Sequence, residues 1–256
     1  MQFASLGSGS RGNATLISHH KTTLMVDCGF SAKETEKRLQ AINFDVNDLS
    51  AIVVTHEHAD HINGIRVLAR KYQLPIYATA GTAGCLSADV SGLIEEFSCH
   101  DSFEIQDIEV QPFPVPHDAR EPSQFVFSDG QHRIGLLTDV GMTTPVIEQA
   151  LSECDALMLE ANHDMAMLDN GDYPEHLKYR VSGRMGHLNN VQSGSILKKI
   201  DTSRLQHIVA MHLSEKNNSP AIVSRVFADA LACNESWIGL AKQDTGFSWR
   251  ETVNSK

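Results

Sequence analysis

The sequence predicts an α/β fold in which short apolar strands alternate with helices. One alternation runs over residues 52–71, where an apolar run is followed by a polar turn and then by a helical pattern. The second half of the chain repeats this rhythm, for example with the apolar run at residues 156–160. A chain of 256 residues, 41% hydrophobic and 21% charged, can bury a good core. We therefore expect a single domain over residues 1–256.

In the first half, short β-branched and apolar runs bounded by turn residues predict strands. Ser31 and Glu34 form a capping box that predicts a helix start. The loop at residues 7–13 is rich in glycine and serine but lacks the Gly-Lys-Ser/Thr ending of a phosphate-binding loop, so it is either a tight hairpin loop or a lining of the site. The predicted strands are residues 2–6, 14–18, 22–26, 52–55 and 75–78, and the predicted helices are residues 31–41, 61–71 and a short helix around 82–86.

In the second half, prolines at residues 112–116 predict an extended approach to His117, and residues 128–131 predict a hairpin turn. Thr144 and Pro145 have the order expected of a helix cap and its first residue. Residues 165–185 are polar and irregular, and we expect them to form a surface excursion over the site. The predicted strands are residues 108–110, 125–127, 134–137, 156–160 and 208–211, and the predicted helices begin at residues 144, 190 and 219.

The cysteine pattern and the chain start bear on the cellular compartment. The five cysteines are scattered and include no Cys-x-x-Cys pair, which argues against a disulfide framework and against a cysteine-based zinc site. Residues 1–6 lack the basic and apolar regions of a secretory signal, and no apolar run approaches the roughly 18 residues that a membrane span needs. We expect a cytoplasmic protein with no membrane partner.

The formal net charge of −11 opposes non-specific attraction to nucleic acid. Composition alone therefore favours a small-molecule substrate. One segment, residues 178–204, carries a local positive charge, with a single acid, Asp201, among several basic residues. It is either a surface for a phosphate backbone or the solvated face of a helix, and its basic residues are Lys178, Arg180, Arg184, Lys198, Lys199 and Arg204.

A dense group of metal-binding residue types follows the predicted strand at residues 52–55. In an extended turn, residues two apart point the same way, so His56 and His58 can hold one cation together. Asp60 and His61 begin the next helix and are displaced to one side, where they can hold a second cation. Nitrogen and oxygen ligands without a thiolate suit Zn²⁺, Mn²⁺ or Fe²⁺.

This His-x-His-x-Asp-His string resembles the motif of the metallo-β-lactamase superfamily. The resemblance extends over nearly the whole chain. Within the superfamily, the sequence is most similar to the bacterial YycJ/WalJ branch, which is related to RNase J and tRNase Z type nucleases. It implies a four-layer αββα sandwich with a two-metal site at one edge. The motifs that carry it, in the family's order, are residues 7–13, 26–29, 56–61, 117–119, 138–139, 159–164 and 186–190.

The resemblance also implies roles for particular residues. Asp27 would orient the histidine loop without binding metal. Asp139 would bridge the two cations, and an aspartate at this position fits hydrolases and phosphodiesterases better than lactamases. The implied ligands of one cation are His56, His58 and His117, and those of the other are Asp60, His61 and His212.

Catalytic roles follow from the same resemblance. Asp60, as ligand and neighbour of the attacking water, would accept its proton. The leaving oxygen needs an acid, and His187 oriented by Glu160 stands at the corresponding place. His163 is a weaker candidate for substrate contact.

The leading hypothesis is a two-metal hydrolase of phosphodiester bonds, in particular an exonuclease. The resemblance implies 5′-to-3′ action on DNA, with two divalent ions, Zn²⁺ or Mn²⁺ and with Fe²⁺ also suited to the ligands. A second hypothesis is a hydrolase of a small thioester, lactone or cyclic phosphodiester on the same metals. A third is a non-catalytic, metal-loaded module that binds a regulatory partner.

Overall fold

Two β-sheets pack face to face in the computed structural model, which describes residues 1–254. In spatial order, the first sheet is β14 (Phe247–Glu251), β1 (Gln2–Gly7), β2 (Ala14–His19), β3 (Thr22–Val26), β4 (Ala51–Val53), β5 (Ile76–Thr79) and β6 (Ile94–Phe97). The second sheet is β13 (Gly239–Leu240), β12 (His207–Met211), β11 (Ala156–Glu160), β10 (Arg133–Leu137), β9 (Ser123–Ser128), β8 (Ile108–Pro114) and β7 (Phe103–Ile105).

Both sheets are mixed. In the first sheet, the pairs β14–β1, β1–β2 and β2–β3 are antiparallel, and the pairs β3–β4, β4–β5 and β5–β6 are parallel. In the second sheet, β7 to β10 are antiparallel and β10 to β13 are parallel. Because parallel strands end at the same edge of a sheet, the segments that follow β3 and β4 lie together, as do those that follow β10, β11 and β12.

In each sheet, side-chain alternation divides the apolar residues between a core shared by the two sheets and a core under the outer helices. In β3, Leu24 and Val26 pack against the second sheet, whereas Met25 packs under the helices on the opposite face. Both faces of this strand are covered, which explains its nearly continuous apolar sequence. The space between the sheets also holds the fully buried rings of Phe125 and Phe127.

Helices cover the two outer faces. Leu39 and Leu68 bury one helical face against the first sheet, and Ile147, Ile196 and Phe227 do the same against the second. The resulting four layers confirm the predicted αββα sandwich. The helices are α1 (Ala32–Ala41), α2 (Ala59–Ile62), α3 (Ile65–Tyr72), α4 (Ala80–Ala83), α5 (Pro145–Leu151), α6 (Met165–Asn170), α7 (Glu175–Ser182), α8 (Asn190–Lys199) and α9 (Pro220–Leu231).

None of the helices within residues 1–254 combines the length and the apolarity that crossing a membrane requires.

The helix starts largely follow the predicted caps. Thr144 caps α5, and Pro145 is its first residue. Ser31 caps α1 by accepting a hydrogen bond from the Glu34 N–H, but the Glu34 carboxylate pairs with Arg38, so the predicted capping box is only half formed. The complete capping box in the described chain belongs instead to α8.

Residues 165–185 differ from the prediction of an irregular segment, because they contain α6 and α7. No residue of α7 is fully buried, and its only aliphatic residues, Leu177 and Val181, are partly covered, so its apolar face is too narrow for the sequence to reveal the helix. Four strands at the sheet edges, β6, β7, β13 and β14, were likewise not predicted, because they are short or largely polar. The short helix expected around residues 82–86 begins earlier, at α4, where Thr79 provides the cap.

Replacing Phe125 with alanine should lower the free energy of unfolding by about 3–5 kcal/mol. The ring is fully buried between the sheets and lies 5.8 Å, centroid to centroid, from both Phe97 and Phe127. Urea denaturation followed by circular dichroism measures the change. Val67→Ala, at an α3 residue that is 56% exposed, is the control and should cost less than about 0.5 kcal/mol. An equally small cost at Phe125 would contradict its place in the core between the sheets.

Candidate active site

The side chains that the sequence singles out converge at one edge of the sandwich, where strands of both sheets end. In the first sheet, Asp27 follows β3 and residues 56–61 follow β4. In the second, Asp139 follows β10, His212 follows β12, and Glu160 is the last residue of β11. The two sheets therefore supply opposite halves of one site.

Three of these strand ends turn through left-handed backbone. Asp27, Asp139 and His212 have φ angles of 61°, 56° and 53°. Residues other than glycine rarely adopt this conformation, although Asp and His tolerate it better than most. Such strained positions concentrate at functional sites, and here all three side chains contact other members of the cluster.

The first group of candidate ligands is His56, His58 and His117. His58 Nδ1 lies 3.0 Å from His56 Nε2 and 3.2 Å from His117 Nε2. Two nitrogens bound to one zinc ion at about 2.0–2.1 Å are roughly 2.9–3.4 Å apart, so the spacing fits a shared cation. The His117 Nδ1–H donates to the Gly186 carbonyl at 3.1 Å, which leaves its Nε2 lone pair directed at the group. Burial lowers the pKa of His56 and of His117, which favours the neutral imidazoles that bind metals.

The second group surrounds Asp139. Its Oδ2 lies 3.3 Å from His61 Nε2 and 3.0 Å from His212 Nδ1, so one buried carboxylate joins a histidine from each sheet. Asp60 Oδ2 is 3.5 Å from the same His61 nitrogen. Burial alone would raise the pKa of Asp139, but His212 and His61 outweigh it and hold that pKa well below its usual range. The ionised carboxylate attracts a cation to this position.

Asp27 supports the histidine string from behind. Its Oδ2 is 2.7 Å from His61 Nδ1, and its two oxygens also accept hydrogen bonds from the N–H and the hydroxyl of Thr55. The contact assigns the proton to Nδ1 of His61 and leaves Nε2 free to face Asp139 and Asp60. This is the arrangement that the orienting role of Asp27 requires.

Glu160 and His187 form a fixed pair beside the second group. Glu160 is fully buried, and its Oε1 lies 2.8 Å from His187 Nδ1. Its Oε2 accepts from the N–H groups of Val140 and Leu188, both at 3.1 Å. Burial alone would lower the pKa of His187, but the Glu160 carboxylate outweighs it and raises that pKa to about 9. The geometry keeps a proton on the ring.

The loop at residues 7–13 lines the site, which decides between the two alternatives for it. The Ser8 hydroxyl accepts a hydrogen bond from the His212 N–H at 2.9 Å. The Asn13 side chain donates to Asp60 Oδ2 at 3.3 Å, and the Asn13 N–H donates to the Asp60 carbonyl at 2.8 Å. The sequence marked this loop as a motif and as a possible lining of the site, but the partners of Ser8 and Asn13 lie far along the chain, so their individual roles were not predicted.

A cavity of about 350 Å³ opens against the cluster. One wall consists of the ligand candidates, including His58, Asp60 and His212. Another part of the lining comes from residues 173–186, which contain α7, so the predicted position of residues 165–185 over the site agrees with this lining. His187 lines the cavity from the side.

Comparison with known proteins agrees with this architecture. The family described as "Beta-lactamase superfamily domain" matches residues 22–212, which include every ligand candidate. The chain belongs to the metallo-β-lactamase superfamily. Members of this fold hold divalent metal ions, and the histidine and aspartate clusters of this chain fit that use.

Two curated relatives narrow the branch within the superfamily. The exodeoxyribonuclease YycJ of Bacillus anthracis is 36% identical over 222 residues, which cover 85% of this chain and 84% of the relative. The exodeoxyribonuclease WalJ of Streptococcus pneumoniae D39 is 33% identical over 246 residues, which cover 93% of this chain and 91% of the relative. The chain is thus a member of the YycJ/WalJ branch, as its motifs predict.

A solved structure supports the fold independently. The Zn²⁺-bound PqqB of Methylobacterium extorquens superposes with a TM-score of 0.71 at 16% identity, covering 98% of this chain and 100% of that one.

The basic segment does not form one surface in this metallo-β-lactamase fold. Lys199 pairs with Glu148, and Arg204 pairs with Asp155 beside the start of β10, at the edge opposite the site. Of its lysines and arginines, Arg180 alone lines the cavity. The cationic contribution to the site therefore comes from α7.

His163 is not placed for substrate contact. It is fully buried behind Asn162, its Nδ1 lies 3.3 Å from Asn162 Oδ1, and burial lowers its pKa to about 4. These surroundings keep His163 neutral in the interior. Asn162 itself lines the cavity.

Substituting alanine for Gly29 should lower the free energy of unfolding by about 1–3 kcal/mol or more and reduce zinc content. A Cβ there would lie 1.7 Å from the Asp60 carbonyl oxygen and 2.7 Å from the Asn13 N–H nitrogen, so the metal loop must move. Chemical denaturation and zinc analysis by mass spectrometry measure both effects. Gly92→Ala, where nothing lies within 4 Å of the added Cβ, should match the wild type. Equal behaviour of the two variants would show that Gly29 does not hold this loop.

Proposed function

We propose that this protein is a two-metal exonuclease that removes nucleotides from a DNA strand in the 5′-to-3′ direction. The observation that carries the proposal is the meeting of two ligand groups at Asp139, whose Oδ2 contacts His61 from one sheet and His212 from the other. Membership of a branch whose relatives are named exodeoxyribonucleases supports a metal-dependent nuclease.

The proposed metal ligands divide as the two groups do. His56, His58 and His117 would hold one divalent ion, and Asp60, His61 and His212 the other, with Asp139 between them. Zn²⁺ and Mn²⁺ fit this donor set, and Fe²⁺ is compatible with it. Divalent cations there supply a Lewis acid for the phosphoryl oxygens and lower the pKa of a nearby water.

The protein's own groups would handle the protons. Asp60 accepts a proton from the attacking water, since its carboxylate borders the cavity beside His61. His187 donates a proton to the leaving oxygen, because its ring lines the cavity while Glu160 fixes its Nδ1 from behind. The two buried N–H donors to Glu160 prevent this carboxylate from turning away.

The limited size of the cavity favours action at a strand end. A space of about 350 Å³, walled by α7 on one side, suits a terminal nucleotide better than a continuous duplex. The net charge of −11 means that attraction of a DNA strand must come from the site itself.

The same two features also favour a second candidate, a hydrolase of a small thioester, lactone or cyclic phosphodiester. Salt separates the candidates, because binding of a polyanion weakens steeply with salt, whereas a small substrate responds little. A steep fall of kcat/KM on DNA with rising salt supports the nuclease. A flat salt response, together with faster turnover of a lactone or thioester, supports the alternative.

Removing the proposed bridge should abolish turnover. Asp139→Ala, or treatment of the wild type with a chelator, should lower kcat/KM on end-labelled DNA, on labelled RNA and on bis(p-nitrophenyl) phosphate by about 100-fold or more, since metal stabilisation contributes several kcal/mol. Re-addition of Zn²⁺ or Mn²⁺ should restore only the wild type. Asp229→Ala on the exposed face of α9 is the matched control. Activity that survives Asp139→Ala would refute the proposed site.

The proposed roles of Glu160 and His187 can be tested with two substrates that differ in their leaving group. Glu160→Gln and His187→Gln should lower kcat on DNA by about 10²–10⁴-fold, because the sugar oxygen departs poorly without a proton. On bis(p-nitrophenyl) phosphate the loss should be much smaller, since its phenolate leaves readily without one. The metal content of both variants must match that of the wild type, because Glu160 lies near Asp139 and His212 and its replacement could release metal. Equal losses on both substrates would assign the pair to holding the site together and not to proton transfer.

A further inference from the structure

Arg180 occupies an unusual position on the wall of the active-site cavity. Among the described residues that line this cavity, it is the only lysine or arginine. It belongs to α7, the helix without a buried residue, and its side chain is 61% exposed. A permanently charged, accessible guanidinium thus lines the same cavity as the candidate metal ligands.

Asp118 connects this guanidinium to the first ligand group. Its Oδ2 accepts a hydrogen bond from Arg180 Nε at 2.8 Å. Its Oδ1 lies 3.5 Å from His117 Nε2 and 3.8 Å from His58 Nε2. Arg180 is therefore one carboxylate away from two of the candidate metal ligands, His58 and His117.

The remaining donors of Arg180 are uncommitted. Within residues 1–254, the side-chain hydrogen bond of Arg180 uses Nε and leaves the two terminal nitrogens without a protein acceptor. Guanidinium groups bind phosphate oxygens with two parallel hydrogen bonds, so these nitrogens form a ready phosphate fork.

The same wall offers an aromatic surface. Tyr173 lines the cavity, with Lys216 Nζ 5.7 Å from the centre of its ring. Nucleic-acid sites without base-specific readout commonly combine cations for the backbone with aromatic rings for the bases. Tyr173 and Arg180 together fit this composition on one wall.

We propose that Arg180 forms a binding subsite for a non-scissile phosphate of the nucleic-acid strand and that Asp118 holds its guanidinium in place. This subsite rests on the proposed nuclease function and specifies how the strand is held. Arg180 is a substrate-binding residue here and takes no part in the proton transfers. Its effect should therefore depend on whether the substrate has a second phosphate.

The test compares Arg180→Gln and Arg180→Lys with Arg184→Gln as the matched control. Arg184 lies four residues further along, is exposed, and contacts Met142 outside the cavity lining. The substrates are a single-stranded DNA oligonucleotide at several salt concentrations and bis(p-nitrophenyl) phosphate, which has no second phosphate. Circular dichroism and thermal denaturation establish that each variant is folded.

Arg180→Gln should lower kcat/KM on the oligonucleotide about 10- to 100-fold, mainly through KM, and at least tenfold more than on bis(p-nitrophenyl) phosphate. The slope of log(kcat/KM) against log[salt] should become shallower by about 0.7, as expected for one lost contact to a single strand. Arg180→Lys should keep the wild-type slope and recover part of the loss, and Arg184→Gln should match the wild type.

Two contrary results have different meanings. If the wild type cleaves both substrates and Arg180→Gln lowers both equally or leaves the salt slope unchanged, the nuclease stands and the phosphate subsite is overturned. If the metal-loaded wild type cleaves neither substrate, the proposed function fails, and the subsite fails with it.

Discussion

The contact of Asp139 with His61 and His212 is the interaction on which the rest of the site depends. Two imidazoles from different sheets approach one buried carboxylate within 3.3 Å, although burial of so many ionisable groups is costly without compensation. The orienting bonds of Asp27 and Glu160 offset part of this cost. Divalent cations held there, as proposed, would offset most of the remainder.

The two parts of the cavity lining differ in how they are held to the rest of the molecule. The ligand wall consists of strand ends whose side chains are tied to both sheets, and the apolar cores on either side fix their positions. The other part is α7, which fully buries no residue and is held by polar contacts such as Arg180 with Asp118. Elements with few buried apolar contacts open at low free energy. This difference agrees with the proposed division of labour, in which the strand ends carry the chemistry and α7 contributes to binding the strand.

The sequence predicted those parts of the molecule whose causes are local. Strands such as β3 and β11 are short apolar runs, and the string from His56 to His61 places several ligand types behind one strand. What it could not predict depends on distant contacts. Asn13 approaches Asp60, and Asp118 approaches Arg180, across 47 and 62 residues of chain. The apolar face of α7 is limited to Leu177 and Val181, which is too narrow for its helix to be visible in the sequence.

Backbone conformation marks a further limit of sequence reasoning. Asp27, Asp139 and His212 were identified by residue type and by the family's motifs, yet nothing in the sequence indicated their left-handed backbone. That conformation results from the turn that each strand makes as it leaves its sheet. The residue types tolerate it, but the fold imposes it.

Anomalous scattering from a crystal of the metal-loaded protein, recorded above the absorption edge of zinc or manganese, tests the central assignment most directly. The two-cation site predicts two peaks about 3.5–4 Å apart, one among His56, His58 and His117 and the other beside His61 and His212, with Asp139 between them. A single peak, or peaks that avoid Asp139, would contradict it.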